Sequence, residues 1–364
     1  MKNTLCLAAL LCIALVPLRG LAQAGDSARI TVDWGATTGH TTPLLFGAND
    51  WAAIQSPGQT LEDAQFAKIL AQTHLTFVRI HNGGLSDAWS SNVSQTWEPA
   101  KIKAVYDAPY LQGKTILQNI PGWPGWMKQQ DKILDPSEYD RYARFCADLV
   151  RIINKDQHRH VRLWEPFNEE DQNYWDKGKF DDLCRLYNKV AVAMKAVDSS
   201  IQVGGLAFIW DDPAKVEAFL KNCGPNVDFL TWHRYAGAGK DATDKIMADT
   251  PHYEDRIRTF RALTQKYAPG RTIPLVWDEY SLAYTYQSPE TRQWSNVGAV
   301  WFASTLKHMA DAGLDMAAQW NLRDGFYGLV DNSDAPRPAL TVFAWGNKFL
   351  VGSLVKTQSD QPLV

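Results

Sequence analysis

Two glutamates at the ends of apolar runs carry the chemistry available to this sequence. Residues 161–171, VRLWEPFNEED, begin as a strand-like apolar run and finish in a cluster of carboxyl groups. Residues 273–281, IPLVWDEYS, repeat the pattern around Glu279. Cleaving a glycosidic bond takes two carboxyl groups, one protonated to help the leaving oxygen depart and one ionised. Asn168 and Glu169 are read as the acid half of such a pair and Glu279 as the other half. A lone glutamate at a strand end is more often a solvated or salt-bridged carboxylate. Two of them at the ends of buried strands shift the balance toward catalysis.

The strands that must position these groups can be counted. Eight apolar runs, at 44–49, 77–82, 115–120, 161–169, 201–208, 227–235, 273–280 and 316–322, are mostly separated by helical or looping stretches. Near-continuous apolar character means that both faces are covered, as in a parallel sheet wrapped by helices. Residues 137–154, 180–197 and 253–267 keep helical spacing. The expected fold is therefore α/β, a (β/α)8 TIM barrel. The alternative, an open doubly wound sheet, is weakened because no glycine-rich phosphate turn follows the first run. A short strand at 29–34 is expected outside the barrel.

Polar residues sit at the C-terminal ends of these runs: Asn49 and Asp50, His81 and Asn82, Asn119, Asn168 and Glu169, His233 and Tyr235, Glu279, and Trp320 and Asn321. In a barrel these ends share one rim. His233 and Tyr235 share a face beside Glu279, and either can donate a hydrogen bond to it. A satisfied barrel histidine is an equally good reading of His233, and His81 gives a weaker version of the same argument. Strict alternation points Asn168 and Glu169 to opposite faces, so the strand must twist or bulge there if both serve the site. Glu165 shares the phase of Glu169. It is expected to be a buried carboxylate held by Arg79 or another barrel cation and is also the rival catalyst. Asp278 is out of phase with Glu279 and expected to be structural, and Glu170 and Asp171 are expected at the rim or in loops.

Fifteen tryptophans supply flat faces suited to sugar rings. Trp123, Trp126, Trp89, Trp175, Trp294 and Trp320 fall where the rim or its loops belong. Trp164, Trp232 and Trp277 lie inside strands and are expected to pack. The segments 85–97, 123–131 and 236–253 are expected to wall a groove. No HExxH motif is present and the histidines are too scattered along the chain to suggest a metal-ligand set, no GxSxG motif is present, and no cofactor is expected.

The amino terminus reads as a secretory signal over 1–24: Lys2, an apolar core at 5–16, and the small-x-small Ala22-Gln23-Ala24. The apolar run is short for a membrane span. The remaining residues, 25–364, are expected to form one catalytic domain, exported to the periplasm or the medium. Formal net charge is −3 with no basic tail, which gives no reason to expect nucleic acid or an anionic membrane as partner. Cys146, Cys184 and Cys223 allow at most one disulfide and are read as packed or free thiols.

With these residues in view, the chain resembles glycoside hydrolase family 39, in the clan of retaining (β/α)8 hydrolases. WEPFNEE at 164–170 is similar to the family's F-E-x-W-N-E-P, VGGLA at 203–207 to its V-G-G-P-A, and DFLTWHRYAG to its sixth-strand segment ending in H-x-Y. DEYS and the late RPALTVFAW also match. The resemblance implies an acid/base at Glu169 preceded by Asn168, a buried Glu165, a nucleophile at Glu279 and a carbohydrate substrate, either oligo- or polysaccharide. Glu170 stands where the family usually has proline. Members commonly carry a β-sandwich after the barrel, and the about fifteen residues after Phe349 are too few for one. A non-catalytic carbohydrate-binding protein or a transglycosidase on the same fold are the competing functions.

Overall fold

A computed structural model describes residues 28–51, 64–81, 83–285 and 290–360. The expected signal at 1–24 and Asn82 lie outside the described residues. Two compact units are present, the larger spanning Thr38–Leu354. The smaller contains most of a two-stranded ribbon, in which Ile30–Thr41 lies beside Gly352–Ser359. The strand expected at 29–34 therefore forms, and runs on to Thr41.

The larger unit contains eight parallel strand positions: β1 (Gly47–Asp50), β2 (Phe77–Ile80), β3 (Thr115–Ile120), β4 (Leu163–Pro166), β5 (Gln202–Val203 continued by Gly205–Phe208), β6 (Leu230–Gly237), β7 (Leu275–Ala283) and β8 (Met316–Gln319). The first segment of β5 pairs with β4 and the second with β6, so the ring closes through this broken strand. Gly204, at the break, has no room for a side chain: a Cβ there would lie 2.3 Å from the ring of Phe229. β1 starts later than its apolar run because Pro43–Phe46 is a 3-10 turn, with Thr42 accepting the Leu44 N–H.

A helix follows each strand before the next begins. The one after β3, Tyr139–Val150, buries Tyr142, Phe145, Cys146 and Leu149 on one face. Asp212 and Ser295 cap the helices Pro213–Cys223 and Asn296–Asp311 with their side-chain oxygens. Among the described residues no helix is long and apolar enough to cross a membrane. Cys146, Cys184 and Cys223 are buried free thiols.

Inside the ring, alternation sorts the side chains into two levels. Phe77, Leu117, Leu163, Phe229, Val276, Met316 and Ala318 form an apolar cluster separate from the larger core that includes the helices. Two residues further along the same strands come Arg79, Asn119, Glu165 and Asp278, all fully buried and polar. The barrel is thus plugged by hydrocarbon at the N-terminal ends of its strands and filled with hydrogen-bonding groups toward the C-terminal ends.

Candidate active site

Arg79 on β2 organises the polar level. Its guanidinium meets Glu165 Oε2 at 2.8 Å, Asp278 Oδ2 at 3.0 Å and Glu279 Oε1 at 2.9 Å. It also donates to Asn49 Oδ1 at 3.0 Å and Asn168 Oδ1 at 2.7 Å. Burial works against its charge, but the three carboxyl groups outweigh burial and hold its pKa above the ordinary value. Glu165 is held by Arg79 at 0% exposure, and burial raises its pKa to about 8 against the pull of Arg79, with Asp278 adding to the rise. Burial also opposes ionisation of Asp278, yet Arg79 and His233 bring it below the usual carboxylate range. At neutral pH the lower pair is therefore a protonated Glu165 beside an ionised Asp278.

Two breaks in strand regularity bring the upper carboxylates together. β4 ends at Pro166, after which Phe167 and Glu169 take φ of 85° and 59°, both in the left-handed region. That turn lets Asn168 and Glu169 serve the same side. On β7 the register slips: Trp232 pairs with Trp277 but His233 pairs with Glu279, so Asp278 is the extra residue of a bulge. Both Asp278 and Glu279 consequently face inward. Asp278, expected out of phase with Glu279, is brought onto the same side by this bulge and serves as a buried partner of Arg79.

Glu279 accepts from Arg79 on Oε1 and from the Tyr235 hydroxyl on Oε2, each at 2.9 Å. With both oxygens accepting, its ionised form is the one these contacts support. Burial raises its pKa above the usual carboxylate value, with Glu169 and Asp278 adding to the rise, and His233 and Arg79 offset it only in part. Glu169 Oε1 lies 2.8 Å from His233 Nδ1, and His233 Nε2 lies 3.6 Å from Asp278 Oδ1. Burial disfavours a charged His233, but Glu279 and Asp278 overcome it and raise its pKa well above the ordinary value. One oxygen of Glu169, one of Glu279 and a ring nitrogen of His233 all lie within 4.8 Å of one another. His81 behaves oppositely: burial and Arg79 push its pKa well down. Neutral His81 donates from Nδ1 to Asn119 Oδ1 at 2.8 Å, which leaves Nε2 as an acceptor 3.5 Å from Glu279 Oε1.

Above the carboxylates opens a cavity of about 730 Å³ lined by His81, Asn168, Glu169, Tyr235, Glu279 and Trp320 among the expected residues. Trp320 leans on His81, with centroids 5.3 Å apart, and meets the edge of Trp51 at 5.4 Å. The other walls are Trp51, Gly83, Ile209, Trp210, Tyr284, Asn321, Asp324, Phe326 and Tyr327. Trp51 and Trp210 follow strand ends by one or two residues, a signal the sequence did carry. The run from Asp324 to Tyr327 has no strand or motif to announce it.

Several expected positions fall elsewhere. Asn49 is fully buried beneath the site, where its amide donates to the Asp278 and Ala318 carbonyls. Trp123 packs edge-on against Tyr142, Phe167 and Tyr174, and Trp126 lies under the Arg141 guanidinium at 4.5 Å; neither lines the cavity. Trp89 is fully buried, Trp294 donates to the Phe326 carbonyl, and Trp175 packs on Phe180. Among the described residues, none from 85–97, 123–131 or 236–253 lines the cavity; residues that follow β1, β2, β4, β5, β7 and β8 directly do so instead. Asp171 is not a rim residue. The helix Glu170–Asp176 begins directly after Glu169 and turns Asp171 inward, where it pairs with buried Lys215 at 2.8 Å.

A closed β/α ring with one carboxylate just past β4 and another within β7, an arginine beneath them and aromatic walls above defines the class of glycoside-hydrolase barrels. Residues 122–343 match the model of glycosyl hydrolases family 39, and the chain belongs to that family. It is 25% identical over 257 residues to a beta-xylosidase of Geobacillus stearothermophilus, covering 63% of this chain and 49% of that one. A beta-xylosidase of Caldicellulosiruptor saccharolyticus is 24% identical over 236 residues, 58% of this chain and 46% of the relative. The chain therefore spans about half the length of these curated relatives. A GH39 enzyme from Xanthomonas axonopodis pv. citri has the same fold, with a TM-score of 0.70 at 18% identity over 95% of this chain and 74% of that one.

The protonated Glu165 makes stability depend on pH. Its folded pKa of about 8 exceeds that of an unfolded carboxyl, so its proton favours the fold most below about pH 4.3. That contribution is lost as pH rises toward 8. Urea titrations from pH 5 to 8 should show falling stability, and Glu165→Gln should flatten the decline. An unchanged slope in the variant would contradict the assignment of that proton.

Proposed function

We propose that this chain is a retaining glycoside hydrolase. The observation that carries this reading is the separation of Glu169 and Glu279, whose nearest oxygens are within 4.8 Å. Retaining enzymes keep their carboxyl groups about 5–5.5 Å apart and inverting ones roughly 6.5–9.5 Å, to leave room for a water.

The division of labour follows from the surroundings. Glu279 has 6% of its side chain exposed and accepts a hydrogen bond on each oxygen, so it is held ionised and oriented as the nucleophile. Its attack on the anomeric carbon forms a glycosyl ester as the bond to the leaving oxygen breaks. Glu169 keeps 34% exposure, which suits a group that gives its proton to the leaving oxygen and later takes one from water. His233 holds Glu169 through Nδ1. After the glycosyl ester has formed, Glu169 is the group placed to act as the base that the second step requires. Water attacks the anomeric carbon, its proton passes to Glu169, and Glu279 departs. The net inversion count is two, so configuration is retained. The relatives named as beta-xylosidases make an aryl β-xyloside the first substrate to try. We also infer export through the segment 1–24; the mass of the mature protein from an exporting host should correspond to a chain beginning at Gly25, and an unprocessed mass would oppose it.

The two glutamates should respond differently to substitution. Glu279→Gln should abolish turnover of every glycoside. Glu169→Ala should lose about 10²–10⁴-fold on substrates with poor leaving groups and much less in the glycosylation of an activated aryl glycoside. Azide should restore turnover of Glu169→Ala and give a β-glycosyl azide from a β-glycoside, whereas rescue of Glu279→Ala should give the inverted azide. Equal losses on all substrates without rescue would sink these roles, and full activity in both variants would favour a purely carbohydrate-binding protein.

A further inference from the structure

The charge on the cavity walls bears on which sugars can enter, and this inference rests on the glycosidase reading above. Glu169, Glu279 and Asp324 all face the cavity, and among the described residues none that lines it is a lysine or arginine. The cations nearest to the catalytic pair are not available to a ligand. Arg79 is fully buried, and its donors are taken by Glu165, Asp278, Glu279, Asn49 and Asn168. His233 is also fully buried, between Glu169 on one side and Asp278 on the other, with Glu279 Oε2 at 3.7 Å. His81 is on the wall but neutral, and it presents an acceptor nitrogen rather than a donor.

Such a wall suits hydroxyl groups. His81 Nε2 and the carboxylate oxygens accept from them, while the Trp51, Trp210 and Trp320 rings offer flat apolar faces. A sugar carboxylate would instead lose its water and meet like charges with no cationic partner, a combination that is strongly unfavourable for a buried ion. We propose that this site is selective for uncharged glycosides and excludes uronic acids from the position that Glu279 attacks. The residues that set this selectivity are Glu279 and Asp324, with His81 beside them as an acceptor.

The test is a panel of aryl β-glycosides that includes a xyloside and matched pairs differing only at C6, glucoside with glucuronide and galactoside with galacturonide. Turnover should be confined to uncharged members, with kcat/KM for any uronide at least about 100-fold below the best neutral substrate. Turnover of the xyloside alone supports the proposal equally, because the substrate is still uncharged. A uronide cleaved within tenfold of the best neutral glycoside overturns it. Inactivity on the entire panel counts against the glycosidase reading instead, and calorimetric titration of the parent protein with xylose, glucose and glucuronate then decides the charge question. Binding of a neutral sugar in preference to glucuronate supports the inference, and glucuronate binding as tightly or more tightly overturns it.

Discussion

A single buried guanidinium sets the terms for this site. Arg79 has no contact with solvent, and it touches one carboxyl group from β4 and two from β7. Burying that many ionisable groups is unfavourable unless charge and hydrogen bonds balance. Here the balance comes from Glu165, which keeps its proton at neutral pH, and from His233, which carries one. With those two protons in place, Asp278 and Glu279 can both be ionised against Arg79 and His233. The geometry has the same origin. Arg79 reaches Glu279 and Asn168 at once, so a rigid planar fork ties the middle of β7 to the turn that carries Glu169.

The bulge on β7 is what makes this arrangement possible. A regular strand would give Arg79 and His233 either Asp278 or Glu279, not both. With the extra residue, Asp278 stays on the phase of Val276 and Glu279 still faces the cavity. The left-handed residues after β4 do the corresponding service for Asn168 and Glu169. The β8 side is fixed differently. Arg337 donates to the carbonyls of Asp324, Gly325, Phe326 and Gly328, and Asp324 accepts from three backbone N–H groups of the same turn. A loop so tied presents Phe326 and Tyr327 to the cavity without needing a strand to hold them.

Much of this was legible in the sequence, for physical reasons that also mark its limit. Continuous apolar runs reveal strands covered on both faces, so the barrel and the ends of β4 and β7 could be located, and Glu169, Glu279, His233, Tyr235 and Trp320 with them. Contacts that follow alternation were also readable, as with Glu165 and Arg79. Alternation misleads where the backbone leaves regularity, which is why Asp278 was expected on the opposite phase from Glu279. Tryptophan content cannot separate a ring that walls a cavity from one that packs, because both are large and apolar. Trp123 found neighbours in Tyr142 and Tyr174, whereas Trp51 and Trp210 were left on the cavity wall. Asp324 gave no signal because its position depends on a loop fixed by Arg337, thirteen residues later.

The central claim is that Glu279 forms a covalent bond to the sugar while Glu169 handles protons. Its most direct measurement uses a 2-deoxy-2-fluoro aryl glycoside with a good leaving group. The fluorine slows both oxocarbenium-like steps, and the leaving group restores the first, so an intermediate accumulates. Mass spectrometry of the digested protein should find one fluorosugar per chain on the peptide containing Glu279, released as turnover resumes. A label on Glu169 or Glu165, or an inverted product formed with no labelled protein, would contradict the account.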